Sequence, residues 1–202
     1  MRANEASKRR KKMETIKNTK FTRNNTLCTI STGDLFSQED LIGLNRYYKS
    51  WKALNEENLR FKMRRANLPE LLSEGLASAL FGWMRTNATS ISGCSSSSCD
   101  LVNTETGELI QLKACSTTAN TPAGPTSFGP RSEFDTLIFM HLDCEANTAS
   151  FYKLDANVYK DWMVNRNETI ADQQAQGRRP RVTILPKIKA SNIQPFYVYS
   201  FE

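Results

Sequence analysis

The sequence predicts an α/β fold, a sheet with helices before and after it. Two observations carry this. Residues 100–115 read as two strands joined by a tight turn, and residues 133–142 open polar and become a nearly continuous apolar run suited to a strand buried on both faces. Helical spacing of apolar residues before the hairpin, and a second helical stretch after the buried strand, supply the other layer.

In chain order, residues 1–20 read as a basic, flexible tail, because they are charged and lack periodicity; residues 21–202 then form one domain, a length that suits a single core. Residues 36–63 read as helical, with Ser37 and Asp40 making an N-terminal capping pattern. Their aromatics, Tyr47, Tyr48 and Trp51, suit core packing first, with DNA contact or dimerisation as alternatives. Residues 64–84 read as a second helix, with Asn67 as N-cap, Pro69 in the first turn and Leu68, Leu71, Leu72, Leu76, Leu80 and Phe81 at helical spacing. A serine-rich entry leads to the hairpin, whose turn is Thr104 to Gly107. Residues 121–130 are too rich in Pro, Gly and Ser/Thr for regular structure. After the buried strand come a turn at 143–147 and a strand at 149–154. A helical stretch follows over 157–176, ended by Gly177. The tail from 182 to 201 alternates like one or two strands broken at Pro186 and Pro195.

The net charge is +6, and its cations are clustered. One cluster is at the amino end; Arg60, Lys62, Arg64 and Arg65 precede the second helix; Arg178, Arg179, Arg181, Lys187 and Lys189 lie near the carboxyl end. Such clusters suit a polyanion, and the last two flank the hairpin in sequence. No membrane span or secretory signal is visible, and an odd number of cysteines, five, suits free thiols in a reducing, cytoplasmic setting. A single histidine, His141, disfavours zinc and Ser–His–Asp chemistry. No glycine-rich phosphate loop is present.

The hairpin register pairs Asn103 with Glu108, Val102 with Leu109, Leu101 with Ile110 and Asp100 with Gln111. Alternation puts Leu109, Gln111, Lys113 and Cys115 on one face and Ile110, Leu112 and Ala114 on the other. Opposed residues lie roughly 5 Å apart, so Asp100, Gln111 and Lys113 converge on one small volume. A carboxylate, an amide oxygen and an ammonium there can hold a divalent metal and a water beside a phosphodiester. A surface hairpin with a solvated lysine satisfies the same string. Glu74 and Glu70 on the preceding helix read equally as a solvated face and a helix-start charge, and Glu133 and Asp135 as strand-entry contacts.

The Asp100–spacer–Gln111–any–Lys113 pattern resembles the PD-(D/E)xK nuclease superfamily, with glutamine in the second acidic position. The phrases NLPELLSE and SFGPRSEFDTLIF are similar to stretches of small type II restriction endonucleases. The resemblance covers residues 67–154 and implies a restriction-endonuclease-like core, a central mixed sheet flanked by helices. It implies Mg2+-dependent, site-specific cleavage of double-stranded DNA in restriction–modification. Asp100, Glu74 and Gln111 would then hold the metal (Glu70 is the alternative second carboxylate), and Lys113 would serve the attacking water. Two-fold DNA implies a homodimer, and the defence role a separate DNA methyltransferase. A narrower likeness is to enzymes that cut GC-any-GC sites. The alternatives are a repair or recombination nuclease of the same superfamily and a noncatalytic basic DNA-binding protein.

Overall fold

One long mixed sheet organises the chain, as the computed structural model describes it for residues 14–94, 99–130 and 133–202. The strands are β1 (Glu14–Arg23), β2 (Thr26–Leu35), β3 (Met84–Arg85), β4 (Ile91–Ser92), β5 (Leu101–Asn103), β6 (Glu108–Thr117), β7 (Thr126–Ser127), β8 (Thr136–Asp143), β9 (Thr148–Leu154), β10 (Arg181–Val182) and β11 (Tyr197–Ser200). The helices are α1 (Leu41–Arg60), a wide-turned π segment (Leu71–Gly75) running into α2 (Leu76–Phe81), then α3 (Ala156–Tyr159), α4 (Ile170–Ala175) and α5 (Ile184–Ala190). The sheet order is β1-β2-β3-β5-β6-β8-β9-β11, with β4 also beside β2 and a separate β7–β10 pair. The β6–β8 pairing is parallel, whereas its neighbours β5–β6 and β8–β9 are antiparallel. The α/β architecture, a mixed sheet flanked by helices, is the expected one.

Three apolar clusters hold the layers together. On one face α1 and α2 pack Leu44, Tyr48, Trp51, Leu72 and Leu76 against Ile110, Leu112, Ile138 and Met140. On the other, Ile170, Ile184, Leu185 and Ile188 cover Leu137, Phe139 and Leu154. β8 is therefore buried on both sides, which is why it reads as an unbroken apolar run. The third cluster seats Phe21, Cys28 and Ile30 of the β1–β2 ribbon on Val102 and Leu109 of the hairpin.

Several elements differ from the sequence reading. Residues 14–20, read as tail, form most of β1; residues 1–13 lie outside the described residues. The ribbon's turn is Asn24 and Asn25, both at positive φ (49° and 61°) as it requires, and Asn18 within β1 is also at positive φ (53°). The second helix is shorter than 64–84. Pro69 disfavours helical geometry at the residue before it, and residues 66–67 are held instead by α1, the Ala66 N–H donating to Asn55 (2.7 Å) and the Asn67 carbonyl accepting from the Trp51 indole (3.0 Å). Gly82, at φ 70°, ends α2, so Met84 begins a strand. The stretch 157–176 is two short helices, because the intervening asparagines turn on themselves (Asn167 N–H to Asn165, 2.9 Å) before Thr169 and Asp172 cap α4. Residues 184–190 are helical rather than extended: Pro186 falls in the first turn, where its missing N–H costs nothing. The capping pair at Ser37 is present, Asp40 accepting from its backbone N–H (2.7 Å) and hydroxyl (3.0 Å). Tyr48 and Trp51 enter the core and Tyr47 stays exposed.

Candidate active site

The hairpin forms in the expected register for its three inner pairs, Asn103–Glu108, Val102–Leu109 and Leu101–Ile110. Beyond them the ladder gives way to side chains. Asp100 keeps one backbone bond, its N–H donating to the Ile110 carbonyl (2.9 Å), and its carboxylate takes over the next ladder position by accepting the Leu112 N–H (2.8 Å). The same oxygen accepts from the Gln111 amide. Gln111 is almost fully buried. Alternation along β6 is as expected: Ile110, Leu112 and Ala114 face the α1–α2 layer, while Leu109 and Cys115 belong to the ribbon and α3–α5 clusters. Gln111 and Lys113 are thus a polar interval between two apolar clusters on one face.

Lys113 is half-buried there. Burial lowers its pKa, and Asp100 and Glu74 act against that loss while Arg179 adds to it. Burial likewise raises Asp100, opposed first by the Leu112 N–H and then by Lys113, with Glu70 adding its charge. The tips of Asp100, Glu74 and Lys113 therefore act on one another.

Glu74 arrives from the π segment. Such a widened turn is a distortion often found at functional sites. Gly75 lets that turn close against its surroundings: a Cβ there would lie 2.9 Å from Leu71 and 3.5 Å from Phe36. Glu74 is 15% exposed and pairs with Arg85 at 2.6 Å. Burial nevertheless outweighs that pairing and, with the charge of Asp100, pushes Glu74 up to about 7. Glu70, 76% exposed, bonds the same guanidinium at 3.0 Å, and Asp34 of β2 stands 3.7 Å away.

Arg85 and Asp34 were absent from the sequence reading. Arg85 sits between β2 and β5, opposite Asp34 and Leu101, on a two-residue strand too short to leave a periodic signal. Its signal would have been that an isolated arginine follows a helix carrying two glutamates. Thr32, Asp34, Glu70, Glu74, Arg85, Thr86 and Asp100 line a cavity of about 330 Å³ beside the hairpin.

The other candidates scatter. Arg179 is exposed and acts on Lys113. Its neighbour Arg178 is bound by Glu168 and Gln176. Arg181 is exposed on β10, and Lys187 is half-buried on α5. Arg60 is held by Glu57 (2.7 Å) at the end of α1, Lys62 and Arg64 are exposed beyond it, and Arg65 turns to the Cys144 thiol (3.9 Å). None of these four is among the partners of Asp100, Glu74 or Lys113 described above. Asp135 has a structural occupation: it pairs with Arg23 (2.8 Å) and accepts the Leu109 N–H (2.8 Å), tying ribbon to hairpin. Glu133 is exposed. His141 is a strand residue bonded to Thr117 (2.7 Å). No helix among the described residues is long and apolar enough to cross a membrane.

The donor set suits a hard divalent cation. Asp100 and Glu74 are desolvated carboxylates, and the charge of Asp100 raises Glu74 further, a repulsion that a bound cation relieves; Gln111 adds an amide oxygen. Among the described residues no three His, Cys, Asp or Glu side chains form a ready cage.

Comparison with known proteins places the chain in a family. The family model described as Bsp6I restriction endonuclease matches residues 36–190. The type II restriction enzyme Bsp6I of Bacillus sp. (strain RFL6) is 33% identical over 151 residues, covering 73% of this chain and 80% of that protein.

Proposed function

Because the chain belongs to the Bsp6I restriction endonuclease family, and so is a type II restriction enzyme that cuts DNA at specific sites, we propose that Asp100, Glu74, Gln111 and Lys113 are its catalytic group and that Mg2+ is its cofactor. Membership sets aside the repair nuclease and the noncatalytic binder. The observation that carries the reading is that Glu74 and Asp100 line one cavity and both act on half-buried Lys113 of the adjoining strand.

Asp100 and Glu74 would hold the cation, with the Gln111 amide oxygen as a neutral third donor once its amide turns. Bound there, Mg2+ supplies a Lewis acid for the scissile phosphate and acidifies a water. Lys113, its basicity lowered by burial, orients that water and offsets charge growing on the phosphate oxygens. Arg85 keeps Glu74 aimed at the site and limits the repulsion among Asp34, Glu70 and Glu74. Arg179, exposed and acting on Lys113, would contact the DNA backbone. A two-fold recognition site calls for a homodimer, and the defence role for a methyltransferase acting separately on the same site.

Digestion of one defined plasmid with Mg2+, followed by end mapping, tests the reading and supplies the recognition site, including whether it is of the GC-any-GC kind. Lys113→Ala should lower cleavage at least about 100-fold while DNA affinity, measured in Ca2+, changes little. Full cleavage by that variant would remove Lys113 from the mechanism.

A further inference from the structure

The outer face of α1 is patterned along its whole length. Its inner face is Leu44, Tyr48, Trp51 and Asn55, all buried. Beside it, roughly 110° round the helix, runs an exposed stripe at spacings of three and four: Gly43, Tyr47, Ser50, Leu54, Glu57 and, just past the last turn, Phe61. Tyr47 is 42% exposed, Leu54 52% and Phe61 66%, although each is large and apolar. Single exposed apolar residues are ordinary, but three repeating every seven positions on one stripe are a seam. Ser50 stands between the first two, Glu57 between the second and third, and Gly43 one turn before Tyr47. A Cβ built on Gly43 meets nothing within 4 Å, so the helix surface there is open to close approach.

The stripe is complementary to itself. When two such helices run antiparallel about a centre at residue 52, Gly43 of one meets Phe61 of the other and Ser50 meets Leu54, small against large at both places. The third pair sets Tyr47 against Glu57, at the stripe's edge, and Arg46, exposed one residue before Tyr47 on the same edge, comes beside that carboxylate, twice by symmetry, because antiparallel pairing brings like edges together. Within one chain, among the described residues, Glu57 pairs with the solvent-exposed Arg60. This agreement of size and charge under one two-fold axis is what an isologous contact needs, and it points to a second copy of this chain rather than an unrelated partner.

We infer that two copies associate through antiparallel packing of their α1 helices, with Leu54 and Ser50 at the centre and Arg46–Glu57 pairs at the flanks. The inference rests on the homodimer reading above and gives that dimer its surface. Sedimentation of the purified full chain at micromolar concentration tests it, with plasmid cleavage read in parallel. Arg46→Glu and Glu57→Arg should each raise the dimer dissociation constant about tenfold or more, and the two together should return it close to the wild-type value. All these positions are exposed, so circular dichroism and the melting temperature should hardly move. A wild-type chain that is monomeric alone and on DNA overturns both the homodimer and this surface. A wild-type dimer unaffected by either reversal, and by Leu54→Lys, overturns the surface and leaves the homodimer standing.

Discussion

Glu74 is a carboxylate held between two opposing influences, and burial is the stronger. Arg85 at 2.6 Å favours the charged form, yet the group is pushed up to about 7, whereas a glutamate in an unfolded chain titrates near about 4.3. Between those values the folded protein keeps a proton that the unfolded chain releases. Stability without metal therefore falls as pH rises through that window and levels off above it. The contribution is on the order of 2 kcal/mol after allowance for residual exposure. Thermal unfolding in EDTA at pH 5, 6, 7 and 8 measures it: wild type should lose ground relative to Glu74→Gln as pH rises, and parallel curves would mean that Glu74 is ionised throughout. Glu74 was visible as a candidate from NLPELLSE, but its partner was not, because no spacing rule connects residue 74 to an arginine on a two-residue strand. Asp100, Gln111 and Lys113 were legible for a simpler reason: alternation and a tight turn place them by local geometry alone.

At the level of elements, the hairpin carrying Asp100 and Lys113 is braced from outside by the β1–β2 ribbon. Gly107 in the hairpin turn has φ 77°, and a Cβ there would meet the Thr22 carbonyl oxygen. Arg23 and Asp135 bind alongside, and the Asp135 carboxylate also takes the Leu109 N–H. Gly107→Ala should therefore combine left-handed strain with a backbone collision and cost about 2–4 kcal/mol, read as the midpoint of urea unfolding. A loss under about 1 kcal/mol would show that the ribbon yields freely. Gly82→Ala isolates the backbone strain, since nothing lies near its Cβ. The ribbon itself was illegible in sequence, because its strands are rich in Thr, Asn and Lys and bury only a few side chains such as Phe21, Cys28 and Ile30. The misread helix at 184–190 has the opposite cause: Ile184, Leu185 and Ile188 suit a strand by composition, and only packing onto Leu137 and Phe139 decides for a helix.

For the molecule as a whole, the net charge of +6 suits a polyanionic substrate, but folding leaves only part of that charge available. Arg23, Arg85 and Arg178 bind carboxylates of the same chain, whereas Arg179 is exposed beside Lys113. Arg179→Ala should reduce the slope of log binding constant against log salt by about one, and Arg178→Ala should leave it nearly unchanged. Equal slopes for both variants would place the DNA elsewhere. The global layout was legible to the extent that it is set by runs of apolar residues: the β8 strand and the α1 and α2 helices were, while α5 and the sheet's partner order were not, since they depend on contacts distant in sequence.

The parallel β6–β8 pairing has a consequence for the cell that makes this nuclease. Lys113 lies on a strand whose neighbour, Thr136–Asp143, is translated later, after a loop rich in proline and glycine. A nascent chain on the ribosome has both sides of the hairpin written long before that flanking strand emerges, and a wide sequence gap must close before the cutting group is held in place. Host chromosomes are thus exposed to a competent blade only once most of the polypeptide has been synthesised.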